Sequence, residues 1–351
     1  MDRRDFLKST GSAAAAVGAA ASVAPAEAKA QSVHSSPGAL DLVLALSAPD
    51  IGRGIAESGR RLAQRIETLT AGAVRIQIAA DGSASVDADM WHGSANTKVA
   101  EQPAFSYFAG LPGQHGISAA DLDAWIAVGG GQALWDDLGA QHGFKPLLAG
   151  HTGARPLLWS RASLSGRSSL QGLRFAGEGL TVDVARGLGA QPLVLAPGYL
   201  AQALAKDRAD AVESAGAMHS LAEDIPTAAP FALTGGINRH GTAQSLSIKT
   251  AVWEALSESH RQAMAMASAE EFRLCVAEAR VHERVARQVI SQRHNVTIET
   301  PRLELSDAIA RVSDAAVAHV AGSSRQAQRI NASFMAFKSM LAPAGSGSAL
   351  S

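Results

Sequence analysis

Between Ser165 and Leu221 short apolar runs alternate with amphipathic ones, and this alternation restricts the possible folds more than any other stretch of the chain. Leu173 to Ala176 reads as a strand, Thr181 to Leu188 as a helix and Pro192 to Leu195 as a strand. Leu200 to Lys206 then reads as a helix and Ala209 to Glu213 as a third strand. Gly179 precedes the first helix, and Gly187 and Gly189 stop it. Strands separated by helices of two to three turns must be joined by crossovers, so they pair in parallel. Open parallel sheets collect ligands beyond the carboxyl ends of their strands, which directs attention to Ala176–Gly179 and Glu213–Gly216.

The first thirty residues stand apart. Arg3 and Arg4 precede Phe6 and Leu7, an uncharged alanine-rich run follows from Ser9 to Pro25, and Ala-x-Ala cleavage options end at Ala28 and Ala30. The pattern predicts a twin-arginine export signal over residues 1–30, and with it a periplasmic mature chain. Gly11 and Gly18 make the run a poor permanent anchor.

About 320 residues remain, enough for two domains with separate cores. Their net charge, about −2 once the signal's four cations and three anions are removed, points to no nucleic-acid partner. Cys275 is the only cysteine, which excludes an internal disulfide and any cysteine-cluster metal centre. Placed between Leu274 and Val276, it reads as a small buried thiol.

Leu40 to Ser47 forms a first strand, about Ile55 to Leu69 a helix, and Val74 to Ile78 a second strand. Asp87 to Ser94 reads as a short helix. Ser118 caps a helix to Val128, which resumes from Gln132 to His142 after three glycines. Strands follow at Phe144–Ala149 and Pro156–Ser160, with a hinge between them near Gly150–Ala154. Ala243–Ile248 reads as a strand returning to the first domain. From Thr242 to Thr300 there is no glycine or proline, and Ser257 caps one helix running to about His294, with Met264, Phe272, Val276, Val281, Val285 and Val289 among its apolar positions. At roughly 50 Å it is longer than one domain is wide, so it should span both. A strand at Val296–Glu299 and helices at Ser306–Val320 and Ser323–Met340 complete the fold, and residues 341–351 read as a disordered tail.

The run from Gly150 to Ser214, with Ala124–Phe144 before it and the long helix after it, resembles the DctP-type periplasmic solute-binding subunits of TRAP transporters, above all the branch that binds 2-oxo acids. The resemblance covers about residues 40 to 340 and is most specific over Leu170–Glu213. It implies an α/β, two-domain periplasmic-binding-protein-like fold, with a cleft between the domains and a long helix spanning both. One domain would comprise residues 39–152 with about 241–268, the other 153–240 with about 269–340. The implied partners are a small organic anion, such as a 2-oxo or hydroxy acid, and TRAP membrane permease subunits. No organic cofactor is implied, only a bound cation such as sodium.

The same resemblance locates the ligand positions, and at most of them this chain departs from the family. The arginine that normally fixes the ligand carboxylate lies two residues beyond the basic position of Leu170, Gly172 and Arg174, where this chain has Ala176. A ligand glutamine in the family's N-T-G-x-Q segment corresponds to Arg155, within His151–Arg155. Either Arg155 or Arg174 would supply the missing charge, Arg174 because it shares a strand face with position 176. The acidic residue that helps hold the cation corresponds to Glu213, and Ser214 replaces the tryptophan after it. Asn238 and Arg239 stand where further cleft aromatics are usual, and a tyrosine-rich strand is shortened between Lys98 and Pro103.

Each residue also has a plainer reading, an arginine as a surface ion pair and Glu213 as a cap of backbone amides. A periplasmic metal-dependent enzyme on the same scaffold is the alternative function. Against it, the eleven histidines form no HExxH motif or helix-spaced pair beside a carboxylate, and no nucleophile elbow occurs.

Overall fold

A computed structural model describes residues 39–47, 53–79, 87–153, 156–166, 170–195, 198–237 and 240–341. The export signal at residues 1–30 lies outside them, as do Arg155, Asn238 and Arg239.

The chain builds two sheets. The first contains β1 (Leu40–Leu46), β2 (Val74–Ile78), β3 (Met90–Ser94), β4 (Phe144–His151) and β10 (Ala243–Lys249), in the order β2-β1-β3-β10-β4. Here β1 pairs in parallel with β2 and β3, whereas β10 runs antiparallel between β3 and β4. The second contains β5 (Leu157–Ser160), β6 (Arg174–Ala176), β7 (Gln191–Leu193), β8 (Ala211–Ser214), β9 (Phe231–Thr234) and β11 (Thr297–Glu299), in the order β11-β9-β5-β8-β6-β7. The expected parallel unit is present as β7-β6-β8, with α4 (Leu180–Gly187) and α5 (Leu200–Ala205) as its crossovers. Strand β5 runs antiparallel to both β8 and β9, so the sheet is mixed.

Residues 87–94 do not form the helix that their sequence suggested. Met90–Ser94 is strand β3, inserted between β1 and β10. Pairing on both sides overrides the local pattern here, because it satisfies the backbone and buries Met90 and His92 completely.

Helix α1 (Arg53–Leu69) covers the first sheet, burying Leu62 and Ile66 one turn apart against Leu44 and Val74. Helices α2 (Ala119–Ala127) and α3 (Gly131–Gln141) bury Trp125 and Trp135, which stack on Phe108 from either side. Ser118 caps α2 by accepting a hydrogen bond from the Asp121 amide. Between β8 and β9 lie two short helices absent from the sequence reading, α6 (Ala217–Ala222) and α7 (Ile225–Ala228). Helix α8 (Thr250–Ala255) follows β10.

The long helix is α9 (Glu258–Arg293), 36 residues capped by Ser257. Its length of about 54 Å lets it pack on α1 and β4 of the first sheet and on α6 of the second. Met264 and Ala267 enter the first core and Ala286 and Ile290 the second, while Val281, expected on the apolar side, is 61% exposed. Helices α10 (Leu303–Gly322) and α11 (Arg325–Leu341) finish the chain. Leu341, assigned to the tail by sequence, closes α11, and residues 342–351 lie outside the described range. No helix among the described residues is long and apolar enough to cross a membrane.

Candidate ligand site

The chain passes from the first sheet to the second between His151 and Leu157 and returns between Thr234 and Ala243. The two passages are tied together where they cross. The Thr152 amide donates to the Thr242 carbonyl at 2.9 Å, and the Thr242 amide donates to Thr152 Oγ1 at the same distance. Beside them, Tyr107, His151, His240 and Phe334 line an enclosed cavity of about 10 Å³, room for one water molecule.

Next to this crossing, the carboxyl end of β8 presents Glu213 and Ser214 to opposite faces of the sheet. Glu213 is buried, and its Oε2 accepts a hydrogen bond from the Ile237 amide at 2.8 Å. A Cβ at Gly236 would stand 2.6 Å from that oxygen and 3.0 Å from Pro156, and Gly236 has φ +52°, so glycine is what lets the turn close on the carboxylate. A Cβ on Gly177, just past β6, would stand 3.8 Å from the Glu213 Cβ. Pro156 follows Arg155 in sequence and Ile237 precedes Asn238 and Arg239. Segments expected to carry the ligand therefore converge on Glu213.

Ser214 turns the other way. Its hydroxyl accepts from Ser220 Oγ at 3.0 Å, and Ser220 also accepts from Trp159 Nε1 at 2.8 Å, so Ser214 belongs to a buried network under α6. Arg174 is not at the convergence either. It stands at the amino end of β6, where its Nε and Nη2 clamp Asp210 at 2.9 and 2.7 Å. This hydrogen-bonded guanidinium holds the Asp210 carboxyl well below the usual carboxylate range. Ala176, at the carboxyl end of β6, is buried with Trp159, Leu204 and Val212 and leaves that position without charge.

The sequence reading did not single out a second polar group beside the strand ends. Glu178, two residues past β6, accepts hydrogen bonds at Oε2 from Ser94 Oγ at 3.0 Å and Asn96 Nδ2 at 3.4 Å. Helix α6 carries His219, and its C-cap is Glu223. Burial drives the His219 imidazole pKa down, and burial followed by the Glu178 charge pushes the Glu223 carboxyl up to about 7. Only the strand-end rule, which marked Ala176–Gly179, pointed at Glu178. Glu223 carried no pattern, because α6 is too short to show one.

Two further groups lie outside this constellation. Cys275 sits between Ser58 and Glu271, and burial pushes its thiol up to about 11, an inert state at neutral pH. An open groove of about 470 Å³ runs between α2, β4 and the start of α9, where Trp253 lies near Lys145 and Arg261. Among the described residues no group of three or more His, Cys, Asp or Glu is disposed to hold a metal ion.

Residues 55–320 match the family model for bacterial extracellular solute-binding protein, family 7. A monocarboxylate 2-oxoacid-binding periplasmic protein of Nostoc sp. is 26% identical over 179 residues, 51% of this chain and 49% of that protein, so the match spans about half of the curated relative. A TRAP transporter solute-binding protein from Bordetella bronchiseptica, solved with calcium and picolinate, superposes with a TM-score of 0.81 at 20% identity, covering 87% of this chain and 94% of that one. A TRAP periplasmic solute-binding protein from Pseudoalteromonas atlantica, solved with sodium and pyruvate, superposes with a TM-score of 0.80 at 20% identity, covering 86% and 95%. The fold expected from the sequence, two α/β domains with a long helix across both, is that of these structures. The metal-enzyme alternative finds no support, since these relatives are binding proteins.

Proposed function

This chain belongs to the bacterial extracellular solute-binding protein family 7, and from that premise we propose that it captures a small carboxylate, such as a 2-oxo or hydroxy acid, in a cleft between two domains. The domains would be residues 39–152 with about 241–268, and 153–240 with about 269–340. The protein then hands the anion to TRAP permease subunits in the membrane. Residues 1–30 carry it to the periplasm by the twin-arginine route.

The observation that carries this reading is the approach of Gly177, Gly236 and Ile237 to buried Glu213 at the carboxyl end of β8, with Pro156 against Gly236. The binding rule for open α/β sheets puts a ligand there. Arg155 is the anchor, because the family's arginine position is Ala176 and the charge of Arg174 is taken up by Asp210. Asn238 and Arg239 supply polar contacts from the turn that Glu213 holds.

Relatives solved with calcium or sodium beside a carboxylate make a bound cation part of this proposal. Glu213 is the residue that would hold it. One carboxylate with an oxygen already engaged by Ile237 suits a monovalent ion such as sodium better than calcium, which takes six to eight oxygen ligands. The ion would contribute positive charge beside the anion.

Isothermal titration with pyruvate, lactate and longer 2-oxo acids tests the assignment. Binding of at least one of them, weakened tenfold or more by Arg155→Ala, is the expected result. Unchanged affinity in that variant would remove Arg155 from the site, and no binding of any small carboxylate would remove the function.

A further inference from the structure

We propose that Glu283 is a positioning residue of the ligand site: from α9 it holds the turn that follows Glu213, and so fixes the carboxyl end of β8 where the ligand is met. The inference rests on the capture reading, which makes Glu213 a ligand-site residue.

The turn from β8 into α6 consists of Ala215 and Gly216 alone. Gly216, at φ +138°, takes the N-cap position and has no side chain with which to cap the helix. The first amides of a helix have no acceptor within it, so they need one from elsewhere. Glu283 supplies it with both oxygens, Oε1 accepting from the Ala217 amide at 3.0 Å and Oε2 from the Met218 amide at 3.2 Å. Arg287, one turn along α9, donates from Nε to Oε1 at 3.0 Å and fixes the direction of the carboxylate. The Glu283 side chain is only 14% exposed, so water is poorly placed to substitute for it at the two amides.

The same turn is gripped from below. Ser220 Oγ lies 2.6 Å from the Gly216 carbonyl and 3.0 Å from Ser214 Oγ, and Trp159 Nε1 donates to it at 2.8 Å. Ser214 therefore cannot shift without the start of α6, and Glu213 is the residue before it. The grip of Ser220 lies within the second sheet and its own helix, whereas that of Glu283 comes from the helix shared by both sheets. On α9, Glu271 reaches Arg61 and Arg65 of α1, and Glu283 stands about 18 Å further along and about a third of a turn around the axis. One helix thus carries a carboxylate tie to the first-sheet side and another to the end of β8. A plain helix cap would contribute stability alone; a positioning residue sets affinity as well.

Titration calorimetry of the mature chain with pyruvate, lactate and longer 2-oxo acids, together with hydrogen exchange without ligand, tests the assignment. Glu283→Ala should raise Kd about tenfold with stoichiometry unchanged, in the range that loss of a group behind a ligating residue produces. Exchange over residues 211–222 should be faster in the same variant. Glu283→Gln keeps an acceptor for one of the two amides and should fall between it and the parent. Circular dichroism verifies folding, and the glutamine variant carries the test if the alanine variant does not fold. A Kd within about twofold of the parent in the folded variants, with only the melting temperature or the binding-competent fraction reduced, overturns the proposal, as does unchanged exchange over residues 211–222. Faster exchange in Glu283→Ala when the parent binds no small carboxylate sinks the capture assignment alone and leaves Glu283 as the group that fixes the end of β8.

Discussion

The Ile237 amide donates to Oε2 of Glu213 across 2.8 Å, both residues being buried. Through this bond the turn after β9 is fixed to the end of β8, and the turn leads directly into Asn238 and Arg239. Glu213→Ala would leave the buried Ile237 amide without its acceptor, a loss of about 1–3 kcal/mol in stability. Glu213→Gln retains an acceptor oxygen and should lose less, while still weakening anion capture through the altered charge. Urea unfolding with calorimetric titration of both variants checks the pair. An alanine variant as stable as the parent would mean that the turn holds itself.

Arg174→Ala should leave carboxylate affinity within twofold of the parent. Its guanidinium is committed to Asp210 and to the Asp207 carbonyl at the amino end of β6. Loss of affinity comparable to that of Arg155→Ala would return Arg174 to the site.

Glu223 and His219 should bend the stability profile in opposite directions. The folded-state pKa of Glu223, about 7, lies above the ordinary 4.5, so the folded protein binds this proton more tightly. Stability therefore falls as pH rises from about 4.5 toward 7, by up to roughly 3 kcal/mol, and the loss persists above that range. The folded-state pKa of His219 lies below 6.5, so its contribution is complete above that value and is lost as pH falls. Melting temperatures should show Glu223→Gln stabilised relative to the parent at about pH 8 and little changed at about pH 4. A variant with no gain at the higher pH would show that Glu223 ionises without cost.

Much of the scaffold was legible in the sequence because its elements repeat locally. The β6–α4–β7–α5–β8 order and the glycine-free α9 each announce themselves by periodicity and caps. Residues 87–94 were misread as a helix because β3 is specified by its neighbours β1 and β10, far away in sequence. Among the ligand candidates, Glu213 is where a strand end and the resemblance pointed to the same residue, and the structure buries it against the Ile237 amide. Arg174 looked equivalent to position 176 by strand alternation, yet Asp210, brought alongside by the β6–β8 pairing, takes its charge. Glu178 with Ser94, separated by 84 positions, left no local trace at all.

Removal of divalent metal should leave anion binding intact. Among the described residues no cluster of three or more metal-ligating side chains exists, and Glu213 alone cannot satisfy a calcium ion. Titration in sodium buffer with and without EDTA should therefore give the same affinity. A loss of tenfold or more on chelation would require a divalent site at the cleft and would overturn the preference for sodium.

The docking of α9 on α1 depends on one carboxylate. Glu271 is fully buried and meets Arg61 Nη2 at 2.5 Å and Arg65 Nη1 at 2.9 Å, while Glu278 adds a more exposed partner to Arg61 at 3.0 Å. The two arginines reach inward from α1, and Glu271 and Glu278 together balance their two charges. Glu271→Ala takes the buried carboxylate from both arginines and leaves Arg61 with Glu278 alone, a loss of about 3–5 kcal/mol. Glu278→Ala removes a partner that water replaces and should lose under about 1 kcal/mol. Because α9 is shared by both sheets, the Glu271 variant should also broaden the unfolding transition, the first-sheet side giving way before the second. Urea melts followed by tryptophan fluorescence, with Trp125 and Trp135 reporting on the first side and Trp159 on the second, would resolve the order. Equal losses in the two variants would show that burial of Glu271 is not what holds the helices together.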